Sequence, residues 1–318
     1  MSGSYTSRVL GDYPDTLTMD KTPGAHRKIT IDGKSLDGQR DEIENPLVSI
    51  ITPAFNSADS ILRSIQSVQN QTYRNVEHII IDGRSTDGTV EKIKSCEHLL
   101  SYWHTKFDKG IADAFNTGVA VSRGHLIGIV NSDDWMSPNQ IEEGVRRLRE
   151  TGADFSFGDM LLYDGDKPLF LIKGRQDYER RIRFGMPPIN HPSVLAKRTI
   201  YESIGLFDLR WKIAMDYDWL YRSHRAGFRG TYTPNVRANM DDGGISNTNI
   251  AQVFRETWNI VRGGGLGLFT TTALFAYRYT KTSTRRILEW MIGKGRASRL
   301  RILSNPRHDA ASEKNYKS

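Results

Sequence analysis

Residues 47–82 read LVSIITPAFNSADSILRSIQSVQNQTYRNVEHIIID, and the fold is decided here. The run LVSIIT is short, apolar and β-branched. It is followed by apolar residues at helical spacing, Ile61, Ile65 and Val68, and then by a second run, VEHIIID. Near-continuous apolar runs are what strands buried on both faces look like, and a helix between two of them makes a β-α-β crossover. Working outward, the alternation continues. A helix is expected from about Gly88, a weak strand at LLSYWH, a helix over IADAFNTGVAVS and a strand at HLIGIV. The reading is an α/β protein with a mostly parallel central sheet flanked by helices.

Ser137-Pro138, with Gln140 three residues after the serine, predicts a helix capped by Ser137 and ending near Gly152. Strands follow at ADFSFGDML and PLFLIK. Then come a loop at Pro187-Pro188, a short helix near 198–204 and a helix beginning near Asp216. Three regions are expected: a loose polar extension over 1–45, broken only by a short strand in RKITID, a main α/β domain over 46–247, and a helical, basic C-terminal region over 248–318.

The chain has 318 residues, enough for one large α/β domain with an appended part. Its formal charge of +7 is uneven, because residues 278–318 hold 11 Lys or Arg against Glu289, Asp309 and Glu313, leaving the remainder close to neutral. A basic tail can meet anionic lipid, nucleic acid or only water. The absence of any nucleic-acid module, and the confinement of the charge to the tail, argue against nucleic acid. Cys96 is the only cysteine, so no intrachain disulfide or cysteine metal cluster can form, and a cytoplasmic location is expected. Neither a leader peptide nor a spanning helix is read from the sequence. The stretch LGLFTTTALFAYRY with Arg285, Arg286, Ile287, Trp290 and Met291 mixes apolar, aromatic and basic residues. That mixture suits peripheral contact with the inner face of the cytoplasmic membrane, or a helical pair packed on the core.

Parallel sheets bind ligands beyond the carboxyl ends of their strands. Three runs end in informative residues: Thr52 to Asn56, Asp82-Gly83, and Asn131-Ser132-Asp133-Asp134. Adjacent loops of such a sheet converge, so Asp82 and Asp133 are expected at a common crevice. Hard divalent cations prefer carboxylate oxygens, and Mg²⁺ keeps few protein ligands when phosphates and water supply the rest. An Asp-rich turn serves the same sequence equally well. No Gly-x-Gly-x-x-Gly follows the first strand and no Gly-x4-Gly-Lys-Ser/Thr occurs, which disfavours dinucleotide oxidoreductases and P-loop enzymes.

Taken in order, SIITPAFN, IIIDGRSTDGT, DKGIADAFNTGVAVSRG, VNSDDW and AMDYDW resemble family two of the inverting glycosyltransferases, which have the GT-A fold. The resemblance covers about residues 46–247. It implies transfer of a sugar from a nucleotide-diphospho-sugar, a UDP-linked one, to a saccharide or lipid-linked acceptor in cell-surface polysaccharide or glycolipid synthesis. By position, Asp82 resembles the aspartate that reads uracil, with Pro53, Ala54 and Asn56 along the nucleoside. Where most members carry Asp-Asp-Gly-Ser, this chain has Asp82-Gly83-Arg84-Ser85. The family's Asp-x-Asp reads Asn131-Ser132-Asp133, which implies Mg²⁺ or Mn²⁺ at Asp133, with Asp134 a second candidate and Asn131 toward the sugar. Lys109 resembles a phosphate contact, and Asp113 or Asn116 a loop anchor. Asp216 resembles the general base, preceded here by Met215 instead of the usual Glu, while His191 in NHPS resembles a diphosphate or acceptor contact. GGIS, Gly243 to Ser246, is expected to form a loop over the donor. The departures at Asn131 and Met215 also fit a binding or scaffold protein that has lost catalysis, and a nucleotidyltransferase shares the sheet type.

Overall fold

The structure is a computed structural model describing residues 26–27, 44–241, 249–292 and 308–310. In chain order the elements are β1 (His26–Arg27), β2 (Val48–Ala54), α1 (Ile61–Gln69), β3 (Val76–Asp82), α2 (Thr89–Ser95), β4 (Tyr102–Thr105), α3 (Ile111–Val121), β5 (Leu126–Ile129), β6 (Trp135–Met136) and α4 (Gln140–Thr151). They continue with β7 (Phe155–Asp164), β8 (Lys167–Ile172), α5 (Tyr178–Ile182), β9 (Leu195–Lys197), α6 (Arg198–Ile204), α7 (Met215–Arg225), β10 (Gly230–Asp241), α8 (Ile250–Gly263), α9 (Leu268–Ile292) and β11 (His308–Ala310). One sheet runs β1-β4-β3-β2-β5-β9-β7-β10-β6, with β8 on β7 and β11 on β8.

The first half is the expected parallel ladder. β4, β3, β2 and β5 pair in parallel, with Ala54 opposite Asp82 and Asp82 opposite Thr105. Every residue of β2 is buried because helices cover both faces. Successive side chains point to opposite sides. Ile51, Ile79 and Ile81 therefore join Phe115 and Val119 of α3, whereas Ile80 joins Ile61 and Ile65 of α1. Each isoleucine removed from water contributes about 1.5–3 kcal/mol.

The second half is mixed rather than mostly parallel. β9 is antiparallel to both β5 and β7, β8 is antiparallel to β7, and only β10 runs parallel to β7. The reason lies in the connections. β8 returns from β7 through a short turn, and β9 follows a single turn of 3-10 helix, His191–Ser193, instead of a crossover helix.

The predicted cap of α4 is also corrected. The helix begins at Gln140 with Asn139 at its N-cap and no side-chain capping bond. Ser137 instead closes a turn, accepting from Gln140 N at 3.0 Å, while its own N–H donates to Arg237 O at 3.1 Å. The Gln140 side chain is turned to Pro192 O, 2.9 Å away. Gly152 ends the helix in the left-handed conformation, as expected. The GGIS loop, most of the N-terminal extension and the tail beyond 292, apart from β11, lie outside the described residues.

α8 and α9 follow the boundary drawn at 247, yet their Ile260, Val261 and Phe275 belong to the same buried cluster as α3 and α7. Glu256 of α8 accepts from the backbone N–H groups of Lys212, Ile213 and Ala214, at the start of α7. Of these only Ala214 belongs to the helix end, as its N-cap, so the carboxylate fixes the turn that leads into a helix without a side-chain cap of its own.

Candidate active site

Three strand-end loops interlock. From the loop after β2, Asn56 N donates to Ser85 Oγ at 2.8 Å and Asn56 Oδ1 accepts from Thr86 N at 3.0 Å. Ala58 N donates to Asp87 Oδ2, and Ser57 N to Thr89 Oγ1. The same loop reaches the one after β5, where the Ser57 and Ser132 hydroxyls lie 2.6 Å apart. From α1, Arg63 Nη2 donates to Asp133 O and Ser64 Oγ to Asn131 O, both at 3.2 Å. Asn56 holds its place with a φ of 47°, a left-handed conformation that Asn tolerates better than most residues. Asp82 and Asp133 thus stand on loops that share one partner loop.

Asp82 is fully buried. Its carboxylate accepts from Ser85 N (3.0 Å), Ser85 Oγ (2.5 Å) and Thr105 Oγ1 (2.6 Å), so it closes the turn through Gly83 and Arg84. An ionised carboxylate offers about four acceptor positions, which leaves room for one more donor. Pro53 and Ala54 are buried within β2, and the exposed side chain at this strand end is Phe55. A Cβ on Gly83 would sit 2.7 Å from Asp108 Oδ2 and 3.3 Å from Phe55. The second family aspartate is therefore absent where another carboxylate, Asp108, already occupies the space.

Around Asn131-Ser132-Asp133-Asp134 the oxygens divide into two sets. Asp133 is exposed at the rim, and its carboxyl is nonetheless raised by partial burial, with the charge of Asp241 adding to it. Asp134 is buried, and burial, then Asp133, holds it well above the usual carboxylate range. Asn131 Nδ2 donates to Asp134 Oδ2 at 3.0 Å, while Asn131 Oδ1 and Asp134 Oδ1 are buried with no hydrogen-bond partner. Trp135, next in sequence, carries the Arg63 guanidinium 3.7 Å above its ring and packs against Tyr163. Among the described residues no group of three or more His, Cys, Asp or Glu is arranged to hold a metal.

α3 connects this corner to Asp216. At its start Lys109 is exposed and Asp113 Oδ2 accepts from Lys109 N at 3.0 Å, so Asp113 anchors the loop. Lys212 Nζ reaches Lys109 O at 3.2 Å. Asn116, buried in mid-helix, makes a two-way bond with the Phe207 backbone, 2.8 Å in each direction. Beside it Phe115 stacks on His191 with centroids 6.0 Å apart, and Phe207 meets the same imidazole edge-on. Asp216 and His191 interact electrostatically. Burial raises the carboxyl and lowers the imidazole, and each charge partly offsets the burial of the other. Asp218 is committed elsewhere, bonded to Arg222 Nε at 2.8 Å. Met215, where the family has Glu, is buried in the core.

Sequence reasoning did not single out Phe55, Arg63, Asp108 or Asp241. A strand-end position could have flagged Phe55. The other three are placed by tertiary contacts that no local pattern encodes.

A parallel first half, a mixed second half and acidic strand ends are the architecture of the GT-A fold. The sequence model of Glycosyl transferase family 2 matches residues 49–203. An uncharacterized glycosyltransferase of Mycobacterium tuberculosis is 32% identical over 184 residues, 56% of this chain and 69% of that protein. The chain belongs to glycosyltransferase family 2. The chondroitin synthase of Escherichia coli is 40% identical over 109 residues, 33% of this chain and 16% of that enzyme. Among solved structures, residues 1–349 of S. aureus TarS in complex with UDP-GlcNAc superpose with a TM-score of 0.54 at 16% identity, covering 72% of this chain and 70% of that one. The mannosyltransferase PcManGT from Pyrobaculum calidifontis, in complex with GDP-Man and Mn²⁺, gives 0.51 at 18% identity, covering 81% and 87%.

Proposed function

We propose that this glycosyltransferase moves a sugar from a UDP-linked donor to an acceptor hydroxyl with inversion, in the synthesis of a surface polysaccharide or glycolipid. The observation that carries the reading is the interlocked set of strand-end loops, which brings the turn of Asp82 and the acidic rim of Asp133 onto one partner loop. A relative in fold crystallised with UDP-GlcNAc supports the choice of donor.

The donor set at the rim fits a hard divalent cation, Mg²⁺ or Mn²⁺. Its ligands are oxygens, and Asn131 Oδ1 and Asp134 Oδ1 are buried acceptors still lacking a partner. Asp133 would hold the ion, with Asp134 behind it. Bound there, it would offset negative charge on the departing nucleoside diphosphate. Asp82 keeps one acceptor position for the N3–H of uracil. Asn56 and the backbone of Pro53 and Ala54 line the nucleoside, Asn131 faces the sugar, and Lys109 meets a phosphate.

Asp216 takes the proton of the acceptor hydroxyl as the new bond forms, because a hydroxyl is a poor nucleophile at neutral pH. Its raised carboxyl is a stronger base than an exposed aspartate, and His191 stands beside it to contact acceptor or diphosphate. Met215 is used by the core, so the exchange at that position leaves Asp216 itself intact and weakens the case for a catalytically impaired binding protein.

Thermal shift with a panel of UDP-sugars plus Mn²⁺, followed by an assay for released UDP, tests the proposal. One donor should stabilise the protein in the presence of Mn²⁺ and release UDP with acceptor. A panel with no response from any UDP-sugar would sink the uridine assignment.

We place the enzyme in the cytoplasm, touching the membrane peripherally through α9 and the tail. Phe269 and Tyr277 stand 88% and 65% exposed on α9. No helix among the described residues is long and apolar enough to cross a membrane. Flotation of the full chain against one ending at Ile292 checks the tail, and equal association with vesicles would remove it from the proposal.

A further inference from the structure

A cavity of about 690 Å³ lies between the segment that follows β8 and the middle of β10, lined by Asp159, Lys173, Arg175, Asp177, Tyr232 and Arg237 among others. No residue assigned above to donor, metal or base lines it. Its shape comes from an irregularity in the sheet. Tyr232 pairs with Phe157, and pairing resumes only with Arg237 opposite Asp159, so residues 233–236 loop out of the ladder. Two glycines let the backbones close up around the loop. A Cβ on Gly158 would lie 2.2 Å from Val236 O, and one on Gly174 would lie 2.7 Å from Gly158 O. Irregularities of this kind cluster where a strand must re-aim side chains at a ligand.

The lining is cationic after its internal bonds are counted. Asp177 is held by two guanidiniums: Arg175 Nε and Nη2 at 3.0 and 2.9 Å, and Arg181 Nε at 3.2 Å. Asp159 Oδ1 accepts from Gly174 N at 2.9 Å and from the Tyr232 hydroxyl at 2.8 Å. Both carboxylates are hydrogen-bonded, and the Asp159 charge faces Lys173 and Arg237, so the lining as a whole keeps one positive charge in excess. Arg237 Nε is buried with no hydrogen-bond partner, so the guanidinium is not fully committed to protein acceptors.

The cavity wall is bonded to the segment that leads into His191. Arg175 N donates to Pro188 O at 3.0 Å, and Asn190 Nδ2 reaches Gly158 O and Ile172 O, both at 2.9 Å. The next residue, His191, is the electrostatic partner of Asp216.

We propose that this cavity receives the acceptor substrate by an anionic group, carboxylate or phosphate, with Arg237 and Lys173 as its ligands and Arg175 at the rim. The acceptor hydroxyl would then be presented on the side of Asp216. This rests on Asp216 being the base, but the binding itself does not depend on turnover.

The test uses the full chain with three probes, glucuronate, glycerol 1-phosphate and neutral glucose, at matched ionic strength by calorimetry. UDP with Mn²⁺ is titrated separately. Binding of at least one anionic probe is expected with no response to glucose, and the tighter of the two names the anion. Arg237→Gln should weaken that probe about tenfold, as loss of a charged hydrogen bond does, and Arg237→Lys should recover part of it. Lys173→Gln should weaken it independently, and UDP affinity should not move in any variant. No anion binding, equal binding of glucose, or retention of anion binding in both Gln variants would overturn the proposal. Loss of UDP binding by the unaltered protein would instead count against the donor reading.

Discussion

The two halves of the sheet solve different problems. The parallel half, β4-β3-β2-β5, is built from strands buried on both faces. Its loops are fastened to one another by short side-chain bonds, and the atoms it leaves buried without a partner include Asn131 Oδ1 and Asp134 Oδ1 at its strand ends and His78 Nδ1 within β3. The mixed half, β9-β7-β10-β6 with β8, tolerates a looped-out segment, close glycine contacts and a cavity with an unpaired guanidinium nitrogen. On the proposed function, the rigid frame would hold the nucleotide and the irregular half would meet the acceptor, so the second surface can vary without disturbing the first.

The largest expected effect lies where the halves must cooperate. Asp216→Asn should lower kcat by about 10²- to 10⁴-fold, the range of a lost general base, while UDP-sugar affinity stays unchanged. Single-turnover rates set beside donor titrations read both, and a variant that transfers sugar at the original rate takes the base away from Asp216. Asp133→Ala should confine its damage to the parallel half. Mn²⁺-dependent donor binding should weaken by about 10- to 100-fold, the scale of disturbed metal sites, and the anionic probes should still bind. Equal binding of donor with and without Mn²⁺ in the unaltered protein would break the division.

Two further changes measure how tightly the parallel half is built. Glu77 is buried at the heart of it and accepts from Ser49 Oγ at 2.7 Å, Arg123 Nε at 3.0 Å and Gly124 N at 3.2 Å. Glu77→Ala orphans buried donors and should destabilise the fold by about 3 kcal/mol, visible in urea unfolding. A change under about 0.5 kcal/mol, typical of a surface substitution, would show that the network is slack.

A further effect is small near neutrality and is graded with pH. His78 is buried against Thr52 Oγ1 at 2.9 Å, and burial pushes its imidazole down to about 3. The unfolded chain takes up this proton below its ordinary value of 6.5 and the folded chain does not. Stability is therefore lost as pH falls from 6.5 toward 3, by up to about 1.4 kcal/mol per pH unit from this one group. Urea midpoints across that window should fall less steeply for His78→Gln, and parallel slopes would remove His78 as a cause.

The sequence was most readable where burial is uniform. LVSIIT and VEHIIID can hardly be anything but buried strands, and the positions of Asp82 and Asp133 at strand ends follow from those two runs and HLIGIV. Where a chain turns back on itself the signal fades. β9 is three residues long and antiparallel because of its neighbours, a fact set by β5 and β7 and not by the letters LAK. Ser137-Pro138 carried every local mark of a cap and failed as one, since the Ser137 hydroxyl accepts instead from Asn239 Nδ2, 3.4 Å away on a distant strand. Glu77 and His78 sit in an apolar run where alternation gives no warning that both are internal. Asp108 beside Gly83 shows the same limit, because the space a missing residue leaves can be taken by one far along the chain.

The carboxylate of Glu256 deserves a practical reading. It belongs to a helix beyond the stretch that matches the family, yet it receives the three amides that lead into the helix of Asp216. An excised fragment ending at residue 247 would leave those amides bare and the aspartate on a frayed turn. Loss of activity in such a fragment would then look like a missing membrane contact when it has also lost the Glu256 carboxylate and the Ile260, Val261 and Phe275 share of the core.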